Sequence, residues 1–134
     1  MDTNTLIAEA RAACANTPPE AYTVLVDDDL DIRFYGWEIA IGKCGDRAQE
    51  DDWTRWTVVS LFVTDTGKYV VAVDRYSKHP GQGERHQGFA SADFGAVLAY
   101  LRDENGRLGP ASKEMLDEVY DAVPCMRGLA VRQV

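Results

Sequence analysis

The strongest pattern of the chain lies in residues 53–76, where two runs of β-branched and aromatic residues flank a short polar break at residues 64–68. Residues of these types favour a pleated strand, and Gly67 can adopt the positive φ that a short connection needs. This segment therefore predicts a β-hairpin. Both faces of its strands are apolar near the middle, so we expect either a covering layer on each face, or helices on one face and a partner on the other.

Helix and strand patterns precede the hairpin. Residues 3–16 carry apolar side chains at helical spacing, and a Thr-Pro-Pro sequence then ends the predicted helix. Residues 22–26 and 32–41 are predicted strands, and residues 42–52 form a polar connection. One side of the second strand is expected to carry Tyr35, Trp37, Ile39 and Ile41.

A loop and two helices are predicted after the hairpin. Residues 77–88 contain three Gly and one Pro without periodicity, which is typical of a loop. Ser91 is the expected N-cap of a helix that ends near residues 105–106, and a Gly-Pro pair at residues 109–110 begins the final helix. The apolar stripes of the two helices are Phe94, Val97, Leu98 and Leu101, and Met115, Leu116, Val119, Tyr120 and Val123. The tail, residues 129–134, is predicted as an edge strand.

These elements indicate an α+β fold. We expect an N-terminal helix, an antiparallel β-meander of three or more strands, and two C-terminal helices packed on one sheet face. The chain has 134 residues and a hydrophobic content of 46%, which is close to the commonest size of one domain and sufficient for one core. We therefore expect residues 1–134 to form a single domain.

Acidic residues dominate the charge of the chain, whose formal net charge is −8. The acids are concentrated in residues 1–52, with 12 acids and 4 bases, whereas residues 53–88 have 3 acids and 5 bases. Direct nucleic-acid binding is disfavoured by this balance, because neutralisation of phosphates by Lys and Arg dominates such binding. A basic protein surface is the partner that this charge favours.

The last predicted helix carries acids along one face. Glu114, Asp117, Glu118 and Asp121 follow one another at spacings of three and four residues, and Lys113 is the nearby base. Like charges at these spacings destabilise a helix by a few tenths of a kcal/mol per pair, roughly. Two interpretations stay open: an ordinary solvated face, or a surface that docks against a basic protein.

The segment of residues 75–88 carries the strongest candidates for ligand chemistry: Arg75, His79, Arg85 and His86. Arginines and glycine-rich backbone suit a phosphate or carboxylate group, and histidines suit proton transfer. The spacing matches neither a phosphate-binding loop nor a dinucleotide-binding motif. A flexible connection with ordinary charged residues is the simpler interpretation. The sequence predicts no metal site and no cofactor, because histidine and cysteine lack the spacing of metal ligands.

The sequence contains no apolar run of the roughly 20 residues that cross a membrane, and it begins without the basic residues of a signal peptide. The three cysteines are widely spaced and odd in number, which does not indicate a disulfide framework. We therefore expect a cytoplasmic protein that does not bind membranes.

The pattern W-T-x-x-x-L-F-x-T-x-x-G-K-Y-V of residues 56–70 resembles a segment of small proteins carried on bacterial plasmids, phages and integrative elements. The resemblance implies a setting in which small acidic proteins often block host defence proteins. It implies no catalytic residue.

The sequence thus favours a non-enzymatic protein that binds a basic protein surface, as an inhibitor encoded on a mobile element. Its binding residues would be the acids of the last helix, or Trp56 and Phe62 on an uncovered sheet face. One alternative is an enzyme that processes a small ligand or phosphate with the side chains of Arg75, His79, Arg85 and His86. Another is a structural subunit, such as a homodimer, that pairs through the exposed sheet face.

Overall fold

The computed structural model describes residues 3–14 and 16–129, and the side chains of residues 5–14 and 16–126. It has three helices and a five-stranded sheet in the order β1-β2-β3-β4-β5, with every neighbouring pair antiparallel. The elements are α1 (Thr3–Ala12), β1 (Glu20–Val24), β2 (Ile32–Gly45), β3 (Arg55–Thr64), β4 (Tyr69–Ser77), β5 (Arg85–Ser91), α2 (Phe94–Leu101) and α3 (Pro110–Ala122), with 3₁₀ turns at Glu50–Asp52 and Pro124–Leu129. The predicted α+β fold is confirmed.

All three helices cover one face of the sheet. Leu61 on β3 and Val71 on β4 are fully buried there, beneath Ile7 of α1, Phe94 of α2 and Met115 of α3. This arrangement follows from alternation, because every second residue of a strand points to the same face. The two C-terminal helices therefore pack on one sheet face, as the sequence predicts.

The opposite face is covered by the sheet itself, which curls so that β1 and the first half of β2 lie over the hairpin. Phe62 is only 7% exposed there and packs against the rings of Tyr22 and Phe34, with centroid distances of 4.8 and 5.3 Å. The curl brings the end of β1 close to β5, where a Cβ on Gly88 would lie 2.7 Å from Cγ1 of Val24. Each hairpin face thus has a covering layer, which is the first of the two arrangements that its pattern predicts.

A β-bulge between Glu38 and Ala40 changes the predicted alternation of β2. Ala40, which is 1% exposed, lies opposite Leu61 on the helix side, whereas Ile41 lies opposite Ser60 and therefore on the other face. The prediction that Ile41 shares a face with Trp37 is wrong, because the extra residue reverses the order of the faces. β2 also continues to Gly45, four residues into the predicted connection.

Several predicted boundaries also differ from the structure. Residues 85–88 belong to β5 rather than to a loop, and α2 ends at Leu101 because residues 102–108 form a separate turn. Its N-cap is Asp93, whose carboxylate accepts a hydrogen bond from the backbone N–H of Gly95. Of the predicted edge strand, Leu129 lies in a 3₁₀ turn and residues 130–134 are outside the described residues.

The first turn of α3 packs directly on the backbone of β2. A Cβ on Gly42 would lie 2.0 Å from the carbonyl oxygen of Ala111 and 2.5 Å from the backbone nitrogen of Met115. Only a residue without a side chain permits this approach. Gly42 therefore fixes the start of α3, and with it the α2–α3 turn, above one end of the sheet.

Candidate functional site

A cleft of about 1040 Å³ opens between this end of the sheet and the α2–α3 turn. Its sheet wall is a row of four side chains, one from each of β2 to β5: Cys44, Thr57, Arg75 and Arg85. Neighbours in this row are directly paired residues of adjacent strands, so their side chains point to the same face. The row lies one step beyond Val59 and Val73, where the apolar core ends.

Arg75 and Arg85 are directly opposite each other in the β4–β5 pair. Side chains in such a pair have Cβ atoms about 5 Å apart, and like charges at this position destabilise the sheet. Nη1 of Arg75 donates a hydrogen bond to Oε1 of Gln87 at 3.0 Å, which orients one guanidinium without neutralising it. Among the described residues, neither arginine forms an ion pair. Two uncompensated cations thus lie side by side in a concave site.

The α2–α3 turn contributes two further arginines to the cleft. Arg102 and Arg107 flank a turn in which Gly106 has a φ of 75°, and Nη1 of Arg102 donates to the carbonyl oxygen of Gly106 at 2.7 Å. The carboxylate of Asp103 accepts hydrogen bonds from the backbone N–H groups of Asn105 and Arg107 at 2.8 and 3.0 Å. These bonds hold the turn in one conformation, so Arg107 projects from an ordered segment.

The fifth arginine, Arg55, begins β3 at the rim of the cleft. Its Nε donates to Oε1 of Gln82 at 3.1 Å, and the hydroxyl of Ser77 donates to the same oxygen at 3.0 Å. These bonds attach the β4–β5 connection to the strand ends. The glycine-rich segment that the sequence predicts as a loop therefore forms one side of the cleft at Gly81 and Gly83.

The acids in the cleft lining offset only part of the charge of its arginines. The lining contains Asp46 and Asp103 and no glutamate. Asp46 accepts hydrogen bonds from the backbone N–H and the hydroxyl of Thr54, and these bonds lower the pKa of its carboxyl well below the usual range. Asp103 accepts the bonds of its own turn. Five arginines against two aspartates leave a formal excess of three positive charges.

Apolar and aromatic side chains complete the lining. Val59 and Val73, which are 2% and 5% exposed, form its buried end, and Tyr100 and Leu101 line it from α2. The ring of Tyr100 stacks on that of Phe89 at 4.9 Å with an angle of 8° between the planes. Burial raises the pKa of the Tyr100 hydroxyl, and the nearby charge of Arg75 opposes this shift. Tyr100 is therefore a neutral, well-oriented member of the site.

The structure separates the four candidates of residues 75–88. Arg75 and Arg85 line the cleft, but His86 is the next residue along β5 and points to the opposite sheet face. His79 is exposed, with Nε2 3.3 Å from the hydroxyl oxygen of Thr54, and it does not line the cleft. The predicted combination of arginines and histidines therefore does not form one site among the described residues.

His86 instead bonds to Asp74 on β4 and to Glu84 through its ring, and to Asp27, which follows β1, through its backbone. Its Nδ1 lies 2.7 Å from Oδ1 of Asp74 and its Nε2 3.2 Å from Oε2 of Glu84. Its backbone N–H donates to Oδ2 of Asp27 at 2.8 Å, and its carbonyl oxygen accepts from the backbone N–H of Asp27 at 2.9 Å. The hydrogen bond with Asp74 is the main reason that the pKa of His86 is raised above 6.5.

The predicted acidic face of α3 is exposed at Glu114, Asp117, Glu118 and Asp121. The pKa of Glu38 on β2 is raised mainly by burial and to a smaller extent by the charge of Glu118. Among the described residues, Glu114, Asp117 and Glu118 form no ion pair. This surface is separate from the arginine cleft, whose lining includes none of these acids.

The two aromatic candidates of the hairpin have different surroundings. Trp56 is half-buried at the strand end, where its ring stacks on that of Tyr76 at 5.4 Å, and it contributes to the cleft lining. Phe62 is buried beneath Tyr22 and Phe34, so its ring does not form part of an open sheet face.

Three arginines of the cleft do not appear among the sequence candidates: Arg55, Arg102 and Arg107. Alternation along β3 places Arg55 on the same face as Thr57, and this signal was available from the sequence. Arg102 and Arg107 enter the site only through the packing of α2 and α3, for which the sequence has no local signal.

In the described part of the chain, no group of three or more His, Cys, Asp or Glu side chains is arranged to hold a metal ion. No described helix combines the length and the apolarity that a membrane span requires.

Comparisons with protein-family models, with curated proteins and with solved structures gave no match. The resemblance of residues 56–70 to proteins of mobile elements therefore stays a prediction.

The opposed arginines predict a gain in stability when one is neutralised. We expect Arg85→Gln to raise the free energy of unfolding by about 0.2–1 kcal/mol, because it removes the repulsion with Arg75. Urea denaturation measures this change, and Arg33→Gln, on an exposed part of β2, corrects for the loss of one positive charge from an acidic protein. The difference between the variants should shrink at about 1 M salt, where charges are screened. A loss of stability specific to Arg85→Gln would contradict the expectation.

His86 predicts a pH-dependent contribution to stability. Because its pKa is raised in the folded state, its stabilising contribution is fully present below pH 6.5 and is lost as the pH rises through the folded-state pKa. We expect the difference in unfolding free energy between the wild type and His86→Gln to decrease from about pH 5.5 to about pH 8.5. His79→Gln is the matched control. A difference that grows with pH, or that does not change, would show that the bond with Asp74 does not favour the protonated ring.

Proposed function

We propose that this protein binds a small ligand bearing a phosphate group in the arginine cleft. The observation that carries the proposal is the direct pairing of Arg75 with Arg85 in a concave site, without a carboxylate partner for either among the described residues. A guanidinium has a planar set of donors that matches the oxygens of a phosphate, and two adjacent guanidinium groups form charge-assisted hydrogen bonds with one such group. A bound anion would attract both guanidinium groups and so offset the repulsion between them.

The composition of the cleft supports binding rather than acid–base catalysis. Its lining contains no histidine and no glutamate, and its two aspartates already accept hydrogen bonds, Asp46 from Thr54 and Asp103 within the α2–α3 turn. A general base needs an available lone pair near the reacting atom. Of the ligand-binding residues that the sequence suggests, the proposal therefore keeps the arginines and not the histidines. The proposed role is ligand binding without catalysis.

Titration with inorganic phosphate tests this proposal. We expect isothermal titration calorimetry to show binding at low ionic strength, weakened at least about tenfold in Arg85→Gln because charge-assisted hydrogen bonds are lost. Arg33→Gln, which has the same charge change outside the cleft, should bind as the wild type does. Absence of phosphate binding, or equal losses in the two variants, would refute the proposal.

A second function is proposed for the acidic face of α3, namely docking on a basic protein surface, as for an inhibitor carried on a mobile element. The observation that favours it is that the acids of this face are exposed and that Glu114, Asp117 and Glu118 form no ion pair among the described residues. Complementary charge would speed the association with a basic partner. A homodimer formed through the sheet face around Phe62 receives no such support, because that residue is covered by β1.

A pull-down from bacterial lysate at low salt tests the second function. We expect a basic partner that is retained by the wild type and lost when Glu114, Asp117 and Glu118 are all changed to Lys. The control changes Asp28, Asp52 and Glu104 to Lys, which alters the net charge equally at exposed positions elsewhere. Retention of the partner by the α3 variant, or its loss from both variants, would exclude recognition through this face.

A further inference from the structure

We infer, on the basis of the proposed function, that the ligand of the cleft carries two linked phosphate groups. Three features of the site lead to a diphosphate rather than a single phosphate: the amount of charge, its distribution over two walls, and the size of the cleft.

The charge of the lining exceeds what one phosphate neutralises. Five arginines and two aspartates give an excess of three positive charges, and both aspartates already accept hydrogen bonds from the protein. A phosphate monoester carries about −1.5 to −2 at neutral pH. One such group would leave part of the arginine charge uncompensated, whereas two linked phosphates carry about twice as much charge and match the site.

The arginines belong to two walls that are built independently. Arg75 and Arg85 are fixed by the β4–β5 register, and Arg75 is oriented by Gln87. Arg107 belongs to the α2–α3 turn, which is held by the hydrogen bonds of Asp103. A phosphate bound by the opposed pair on the sheet wall leaves Arg107 available for a second group. A diphosphate would therefore bridge the sheet and the turn.

The dimensions of the cleft agree with a ligand larger than one inorganic anion. Its volume of about 1040 Å³ lies just above the range of about 300–1000 Å³ that is usual for small-molecule sites. Val59, Val73, Tyr100 and Leu101 add an apolar part to the lining. There is thus room beside the arginines for the organic part of a diphosphate ester.

A small diphosphate fits the charge of the protein better than a nucleic-acid backbone does. A long polyanion would extend beyond the cleft over the surface of a protein whose net charge is −8. A ligand contained within the cleft meets mainly the arginines, because exposed charges are screened over about 8–10 Å at physiological salt.

Competing calorimetric titrations with inorganic phosphate and inorganic pyrophosphate test the inference, with a chelator present to remove divalent cations. We expect pyrophosphate to bind at least about tenfold more tightly than phosphate. Arg107→Gln should abolish this preference and leave phosphate binding within about twofold of the wild type, because the hydrogen bonds of Arg107 within the described residues of the turn are made by its backbone. Arg85→Gln should weaken both anions, and Arg33→Gln should weaken neither.

The outcomes separate the inference from the proposed function. Equal affinities for the two anions, both reduced in Arg85→Gln, would overturn the diphosphate and leave phosphate binding intact. A pyrophosphate preference that survives Arg107→Gln would also overturn the two-wall arrangement. If a short single-stranded oligonucleotide binds more tightly than pyrophosphate, the inference of a small diphosphate is wrong and the ligand is a nucleic acid. Failure of both anions to bind would refute the proposed function itself.

Discussion

The fold depends on one constraint: both faces of the β3–β4 hairpin are apolar and both must be removed from water. Helices cover the face that carries Leu61 and Val71. Among the described residues, the face of Phe62 is covered by the first strands of the sheet itself, which curls over that side. The two backbone-directed hydrogen bonds between Asp27 and His86 then attach the covering strands to β5. The curl is thus a consequence of the hairpin pattern rather than an independent feature.

The same constraint determines where the cleft lies. On the helix side of the hairpin the apolar residues end at Val59 and Val73, and the next row contains Thr57 and Arg75. Helices pack as far as the apolar row, because burying an arginine without a partner is unfavourable. The polar row is therefore not covered by a helix, and it lines a cleft whose opposite wall is the α2–α3 turn. We expect repulsion between Arg75 and Arg85 to reduce stability, and such a cost is common at sites that serve binding rather than folding.

The sequence predicts the elements with strong periodicity and misses those that depend on tertiary contacts. The hairpin and the stripe of α3 were predictable because five or more positions agree with one period. The bulge at Ile39 was not, because it depends on pairing with β3. Recognition of β5 would have placed Arg85 and His86 on opposite faces by alternation alone. β5 has few apolar residues other than Phe89, so its pattern is that of a loop. Arg107 depends on helix packing and has no local signal.

Net acidity and the arginine cleft are physically complementary. The excess of acids outside the cleft lowers the affinity of the surface for any anion, whereas the concave arrangement of Arg75, Arg85 and Arg107 concentrates positive potential in one place. An extended anion would be attracted by the arginines of the cleft and repelled by the acids outside it. The longer the part outside the cleft, the weaker its binding would be. A compact anion would experience mainly the arginines. We therefore expect the acidic surface to limit the size of an anion that the cleft would bind, and the arginines to set its charge.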